Sequence, residues 1–325
     1  MSCVSRSTEI AASDACYLCG SPNPVTIRTR LRHNVERKVL QCESCTLVWL
    51  ERKNIDLDEY YREKYRRLYT PVAGRTLNAD ESYRVYQSMM AERLERVRPY
   101  LSSSMRVLEL GCATGYFLAD LEPFVAERVG QELDQAHAEY ARKRLGIEVY
   151  SKPISETDRP RHSFDMICSS HVLEHVPDPI GFVRVMLDYL APGGRVYIEV
   201  PNLDDALLSA YQVEAYADFY YVEPHLYYFT PRTLLAIVER CGLTGAIEMV
   251  QRYSLSNHIH WVTEGTPQAG PELGRQMIRL VPDTAAPSTF AAELGEWLVR
   301  IDGEYRALLQ RHDRAEAMAF VGALA

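Results

Sequence analysis

Short apolar runs alternate with segments of helical periodicity through the middle of the chain. Five runs predict buried strands, because each is brief, apolar and bounded by turn residues. These runs are Arg106–Leu110, Arg128–Gln131, Ile147–Tyr150, Phe164–Ser169 and Arg195–Val200. Helical periodicity follows at Gln135–Leu145 and again at Thr230–Cys241. Repeated alternation of strand and helix predicts an α/β fold, a doubly wound parallel sheet with helices on both faces.

The pattern also predicts elements on both sides of this core. Asp58–Tyr69 and Glu81–Val97 have helical spacing, whereas Asn257–Trp261 alternates as a half-buried strand would. Residues 266–287 are rich in Pro, Gly and Ala, which favours a loose connection. Glu293–Gln310 is predicted to be an amphipathic helix, whose apolar stripe suits packing or a homodimer interface.

Two Cys-x-x-Cys pairs precede the predicted sheet. They are Cys16 with Cys19 and Cys42 with Cys45, with 22 residues between the pairs. In a chain without a secretion signal, such pairs indicate metal ligation more than disulfides, and two matched pairs suit a metal better than a redox centre. Four thiolates form a closed tetrahedral set, so we expect a structural Zn²⁺ in a zinc ribbon.

Composition and charge narrow the class of protein. The chain has 325 residues, of which 47% are hydrophobic and 25% charged, as in ordinary globular proteins. No apolar run approaches the roughly 18 residues needed to cross a bilayer, and the N-terminus lacks the apolar core of a signal peptide. We therefore expect a cytoplasmic protein with no membrane partner. The net charge of −8 argues against nucleic acid as a partner.

One basic cluster keeps the nucleic-acid question open locally. It comprises Arg28, Arg30, Arg32, Arg37 and Lys38. As the solvated face of a hairpin it would need no function.

The chemistry is expected to begin where the first predicted strand ends. Gly111, Ala113 and Gly115 form a small-residue turn that leads into a helix, and unpaired N–H groups at a helix start favour a nucleotide-like ligand. Glu132 follows the second predicted strand, 21 residues after Gly111. An acid at that distance can accept both hydroxyls of a ribose.

Four motifs in order resemble those of class I S-adenosylmethionine-dependent methyltransferases. The motifs are Val107–Gly115, Gly130–Glu132, Phe164–Pro179 and Leu190–Pro201. The resemblance covers about residues 80–265, with Ala113 where the family usually has glycine.

The resemblance implies a Rossmann-like sheet and a set of cofactor contacts. The turn 111–115 would wrap the methionyl part of S-adenosylmethionine, Glu132 would hold its ribose, and adenine would lie near residues 152–154. His171 would lie beside the transferable methyl group. The candidate cofactor-binding residues are Tyr86, Glu109, Gly111, Cys112, Ala113, Gly115, Tyr116, Phe117, Gln131, Glu132, Leu133, Ile154 and Ser170.

The ribbon and the segment Glu223–Pro231 together resemble a narrower group. These are bacterial methyltransferases of sugar and natural-product biosynthesis, including deoxysugar C-methyltransferases. In the C-methylating members an acidic residue directly precedes the late histidine, whereas Pro224 holds that place here and Glu223 lies one residue earlier. The predicted domains are a zinc ribbon (1–52), a helical linker covering the cofactor (53–100), the methyltransferase domain (101–265, lid at 203–230) and a helical extension (266–325).

Three histidines are candidates for activating the methyl acceptor. A hydroxyl acceptor needs a base, and histidine suits neutral pH. His225, in the tyrosine-rich predicted lid, is the first candidate for the base, with His171 second and His175 in a supporting role.

The leading hypothesis is methyl transfer to a hydroxyl or amine of a small molecule, such as a sugar, a nucleotide sugar or a secondary metabolite. The alternatives are sugar C-methylation, methylation of ribosomal or transfer RNA with the basic cluster gripping phosphates, and a non-catalytic cofactor-binding module.

Overall fold

The computed structural model describes residues 15–52, 76–282, 284 and 288–325. The helix predicted at Asp58–Tyr69 lies outside these residues. The strands are β1 Val25–Leu31, β2 Val35–Gln41, β3 Val48–Leu50, β4 Arg106–Leu110, β5 Glu127–Gln131, β6 Glu148–Tyr150, β7 Phe164–Ser170, β8 Leu190–Pro201, β9 Tyr227–Tyr228, β10 Leu243–Val250 and β11 Ala317–Leu324.

The α-helices lie between these strands along the chain. They are α1 Ala79–Gln87, α2 Ala91–Val97, α3 Tyr116–Asp120, α4 Gln135–Leu145, α5 Pro179–Tyr189, α6 Ala206–Ser209, α7 Glu214–Tyr220, α8 Pro231–Glu239, α9 Leu255–Glu264, α10 Pro271–Arg275 and α11 Thr289–Arg311. Within the described ranges, no helix combines the length and the apolar surface that crossing a membrane requires.

The central sheet has seven strands in the order β10-β11-β8-β7-β4-β5-β6. Strands β4 to β8 are parallel neighbours, and β11 is antiparallel to both β8 and β10. The prediction of a doubly wound α/β sheet is therefore confirmed. Because β4, β5, β7 and β8 are parallel, their carboxyl ends meet at one edge, and this edge carries the candidate site.

The C-terminal segment differs from the purely helical extension that the sequence predicted. The predicted helix is present as α11, but β11 then returns into the sheet between β8 and β10. Phe320 on β11 pairs with Ile198 on one side and Ile247 on the other. The sheet thus includes residues on both sides of the boundary predicted at 265.

Two other predicted elements were wrong in detail. The single helix predicted at Glu81–Val97 is two helices, α1 and α2. The strand predicted at Asn257–Trp261 is part of α9, which begins after Ser254, whose hydroxyl accepts from the Asn257 amide. Buried Asn257, His258 and Trp261 have helical spacing, but five residues are too few to separate a period of 2 from one of 3.6.

The N-terminal strands form a second sheet that includes part of the predicted lid. Its order is β1-β2-β3-β9, with Val48 opposite Tyr228 and Trp49 opposite Tyr227. Trp49 and Phe229 also belong to the same hydrophobic core as the central sheet. The ribbon is therefore packed onto the α/β core.

Candidate functional site

The turn after β4 has the backbone geometry that its small residues predicted. Gly111, Ala113 and Gly115 all have positive φ, at 76°, 48° and 78°. A Cβ on Gly111 would lie 2.4 Å from Cγ2 of Val172, so glycine is required there for close packing as well. Gly115 caps the start of α3. The turn brings the backbone of β4 against the segment that follows β7.

Glu132 links the end of β5 to this turn. One carboxylate oxygen accepts a hydrogen bond from the Ala113 amide at 2.9 Å, and the other accepts from the Asp134 amide at 2.8 Å. The carboxylate is thus fixed beside the glycine turn, where an acidic residue that binds ribose is expected. A carboxylate oxygen can accept more than one hydrogen bond, which suits an acid that binds ribose hydroxyls.

Glu109 is a buried acid at the same sheet edge. Its side chain is 2% exposed, Arg93 approaches one oxygen at 3.8 Å, and the other oxygen has no hydrogen-bond donor among the described residues. Burial raises the pKa of Glu109 to about 8; Arg93 opposes the shift, and Glu132 and Glu199 add to it. A cationic ligand group beside Glu109 would favour the ionised form of this carboxyl, so the position suits the ammonium of a methionyl moiety.

Helix α1 covers the turn from the other side. The rings of Tyr86 and Tyr116 lie 5.8 Å apart, and Gln87 donates a hydrogen bond to Asp120 at 3.0 Å. Helix α1 therefore packs against α3, and its role as a cover over the cofactor stays a prediction.

The remaining cofactor candidates differ in how far their side chains are exposed. Cys112, Phe117 and Ile154 are buried in the core, so only their backbones can face a ligand. Leu133 is 49% exposed directly after Glu132, which suits an apolar platform. Gln131 ends β5 beside Glu132, and Ser170 ends β7 with a buried hydroxyl that has no hydrogen-bond partner in the described part of the chain.

The segment after β7 places a histidine between two carboxylates. His171 has a φ of 55°, and its side chain is 42% exposed. Its Nε2 lies 3.1 Å from Glu199, and its Nδ1 lies 3.6 Å from Glu174. Desolvation lowers the pKa of His171, but the nearby carboxylates of Glu174 and Glu199 outweigh it and raise the pKa above its usual value.

His175 and His225 meet on the other side of Glu174. Their rings are 4.8 Å apart in an edge-to-face arrangement. His175 Nδ1 donates to the Pro224 carbonyl at 3.0 Å, and its Nε2 lies 3.8 Å from Glu174. Burial lowers the pKa of both histidines; for His225, repulsion from His175 adds to the effect and the pKa falls to about 3. The three predicted histidines therefore converge on one glutamate.

Sequence reasoning missed the buried charges behind these histidines. Glu199, at the end of β8, is fully buried and binds Arg252, accepts from Tyr197 at 2.5 Å and lies 3.5 Å from Arg93. The position of Glu199 at a parallel strand end was a usable signal. Arg93 and Arg252 come from segments distant in sequence, and nothing local pointed to them.

The aromatic segment is tied to the ribbon. The Leu50 amide donates to the Leu226 carbonyl at 3.0 Å, next to His225, and the Arg32 amide donates to the Tyr221 carbonyl at 2.8 Å. Tyr228 donates to the Val222 carbonyl at 3.0 Å. The ribbon thus holds the segment that carries His225.

The two cysteine pairs form matched turns that face each other. In each turn the amide four residues after the first cysteine donates to that cysteine's carbonyl, at 2.8 Å for Cys16 and 2.9 Å for Cys42. The Sγ atoms of Cys16 and Cys45 are 3.4 Å apart, those of Cys19 and Cys42 are 3.5 Å apart, and all four lie within 4.8 Å. Tetrahedral zinc with Zn–S of about 2.3 Å needs sulfurs about 3.8 Å apart, so the four thiols fit zinc.

A comparison with models of protein families identifies the family. The family model described as a methyltransferase domain matches residues 83–246, just over half of the chain. The chain belongs to this methyltransferase family. Its match includes the glycine turn, Glu132 and all three candidate histidines.

Two curated relatives and one solved structure that match the chain are each less than 30% identical to it. The ubiquinone biosynthesis O-methyltransferase of Nitrosococcus oceani is 28% identical over 158 residues, covering 46% of this chain and 64% of that protein. Its Xanthomonas axonopodis pv. citri counterpart is 27% identical over 148 residues, covering 43% and 62%. The chain therefore spans less than two thirds of these relatives. A SAM-dependent methyltransferase from Archaeoglobus fulgidus has a TM-score of 0.48 at 18% identity, covering 75% of this chain and 96% of that one.

Proposed function

We propose that this methyltransferase moves a methyl group from S-adenosylmethionine to a hydroxyl or amine of a small molecule. The observation that carries the proposal is the meeting, at one sheet edge, of the glycine turn, Glu132 and the histidines around Glu174. The expected acceptors are sugars, nucleotide sugars or secondary-metabolite intermediates. The relatives named above are O-methyltransferases, which favours a hydroxyl acceptor over an amine.

The residues around the turn fit the proposed cofactor. Glu132 would hold the ribose hydroxyls, Glu109 the methionyl ammonium, and Leu133 the adenine ring. Bound there, S-adenosylmethionine would supply an electrophilic methyl group on its sulfonium. The chain must then position the acceptor in line and exclude water, and the tyrosine-rich segment held by the ribbon is suited to both tasks.

The histidines around Glu174 would remove the acceptor's proton. His225 was the base that the sequence favoured, and its lowered pKa keeps the ring neutral near pH 7. His171 stands between Glu174 and Glu199, so a proton received there would be stabilised by both carboxylates. His225 can serve by accepting the proton itself or by holding a cation that acidifies the acceptor.

The basic cluster gives little support to an RNA substrate. Arg28 forms ion pairs with Glu214 and Asp218, and Arg37 donates to the Glu51 carbonyl at 2.8 Å. Side chains engaged in this way are less available for phosphates, so they support a small-molecule acceptor.

The zinc proposal concerns structure rather than chemistry. A four-thiolate site has no open coordination position. Zinc at Cys16, Cys19, Cys42 and Cys45 would hold β3 and, through it, β9 and His225.

The test of this function is a methyl-transfer assay with isotopically labelled S-adenosylmethionine. Hydroxylated aromatics, sugars, nucleotide sugars, amines and bulk tRNA would be offered to the full chain, and labelled product would be identified by mass spectrometry. We expect methyl incorporation into a hydroxylated small molecule. Incorporation into tRNA alone, or cofactor binding without transfer to any acceptor, would contradict the proposal.

A variant of Glu132 tests the cofactor assignment. Glu132→Ala should weaken S-adenosylmethionine binding by about tenfold or more, since each lost charge-assisted hydrogen bond is worth about 1.5–3 kcal/mol. Calorimetric titration measures this affinity. Glu239→Gln, an exposed acid on α8, is the matched control and should bind as the parent chain does.

A further inference from the structure

The site contains a buried carboxylate that the protein leaves without hydrogen-bond donors. Glu174 is 1% exposed, and neither of its oxygens accepts a hydrogen bond from any described residue. The nearest cationic or imidazole groups are His171 at 3.6 Å and His175 at 3.8 Å, both beyond hydrogen-bond distance. A buried carboxylate costs several kcal/mol unless something pairs with it.

The hydrogen bond of His175 fixes which nitrogen faces Glu174. The Pro224 carbonyl can only accept, so His175 Nδ1 carries the proton in the 3.0 Å bond between them. In the neutral ring the lone pair is then on Nε2, the atom that lies 3.8 Å from the Glu174 oxygen. A cation between these two atoms would interact favourably with both.

His225 completes a set of three ligands. Its Nδ1 is buried and has no hydrogen-bond partner in the described ranges of the chain. One ligand atom each from Glu174, His175 and His225 lie within 4.8 Å of one another. Ligands at 2.0–2.1 Å from a tetrahedral metal are about 3.4 Å apart, so small side-chain rotations would bring the set into range.

We propose that Glu174, His175 and His225 bind a divalent transition-metal cation that takes the acceptor oxygen as a further ligand. Two imidazoles and one carboxylate suit Zn²⁺, Mn²⁺ or Fe²⁺, and catalytic sites keep an open position beside three protein ligands. Metal-binding histidines commonly donate their second N–H to a backbone carbonyl, as His175 does to Pro224.

The position of the site gives the cation a role in the proposed methyl transfer, on which this inference rests. Val172, in the same segment as Glu174, packs against Gly111 of the glycine turn. A hydroxyl bound to the cation would have a lowered pKa and would pass its proton to His171, which leaves a more nucleophilic oxygen. His225 then acts as a ligand rather than as the base, and the acceptor class narrows to molecules with a metal-binding hydroxyl.

Binding of Mn²⁺ tests the site in the full chain loaded with one equivalent of zinc, which the four thiolates take up in preference to a site of nitrogen and oxygen ligands. Thiolates bind Mn²⁺ poorly, so the cysteine set does not compete. The signal of free Mn²⁺ in electron paramagnetic resonance should show one bound ion per chain. Glu174→Gln and His225→Gln should each weaken binding at least tenfold, whereas His312→Gln, an exposed histidine, should not.

The outcomes separate this inference from the proposed function. No bound Mn²⁺ in the parent chain, or equal binding by all three variants, would overturn the metal site. Circular dichroism and S-adenosylmethionine binding show whether each variant is folded, and the stoichiometry of the parent chain needs no variant.

A chain that binds Mn²⁺ through Glu174 and His225 but transfers no methyl group would retain the metal site and refute the proposed function. Full transfer after removal of all metal from this site would overturn the role of the cation.

Discussion

At the scale of single residues, the positive φ of Ala113 separates this chain from the usual glycine turn. The left-handed region costs a residue with a Cβ about 1–2 kcal/mol, while glycine loses more entropy on folding. We therefore expect Ala113→Gly to raise the free energy of unfolding by up to about 1 kcal/mol in urea denaturation. Ala136→Gly, at an exposed position in α4, should lower it by about 0.5–1 kcal/mol. A loss of stability in Ala113→Gly would contradict the strain argument.

Glu109 gives the fold a pH dependence of known sign. In the folded chain the pKa of Glu109 is raised to about 8, so Glu109 keeps its proton near neutral pH. In the unfolded chain Glu109 has the usual, lower pKa of a glutamate and has already released that proton. The contribution of Glu109 to stability therefore falls as pH rises from about 5 to about 8. Glu109→Gln stays neutral, so its unfolding free energy should change less across this window than that of the parent chain. Identical slopes in urea titrations at several pH values would show that the Glu109 carboxyl is ionised throughout.

At the scale of elements, strand pairing connects the ribbon to the candidate acceptor site. Strand β3 pairs with β9, two residues beyond His225, and the four thiols lie at the end of the same sheet. Loss of zinc should therefore misplace His225 and leave the glycine turn intact.

Cys42→Ser tests this connection. We expect zinc loss and at least a tenfold fall in methyl transfer, which corresponds to about 1.4 kcal/mol in the barrier. Affinity for S-adenosylmethionine should change by less than about twofold, which is below 0.5 kcal/mol. Cys241→Ser, outside the cysteine set, should leave both quantities unchanged. Equal losses of cofactor affinity and of transfer in Cys42→Ser would indicate general unfolding instead.

At the scale of the whole molecule, the C-terminal strand completes the sheet. Strand β11 separates β8 from β10, so the last residues of the chain are central to the fold rather than an appendage. Phe320→Ala removes a fully buried ring and should cost about 3–5 kcal/mol of stability. Leu324→Ala, on the same strand but 54% exposed, should cost less than about 0.5 kcal/mol. Thermal and urea unfolding compare the two, and a small effect of Phe320→Ala would contradict this account of the sheet.

The sequence by itself determined whatever depends on local pattern. The strands β4, β5 and β7, the glycine turn, the acid 21 residues later and the two matched cysteine pairs are all encoded within short segments. Parallel strands place their carboxyl ends together, so the common edge of these motifs also followed from the sequence. The homodimer, the compartment and the acceptor remain predictions.

Only the tertiary structure decided which distant residues meet. The pairing of β9 with β3, the insertion of β11, and the approach of Arg93 and Arg252 to Glu199 depend on long-range packing that leaves no periodic signal. The same holds for Glu174, which the sequence placed between two candidate histidines without showing that His225 would join them. A short motif fixes its own backbone, but the partner of a buried charge is set by how the whole chain packs.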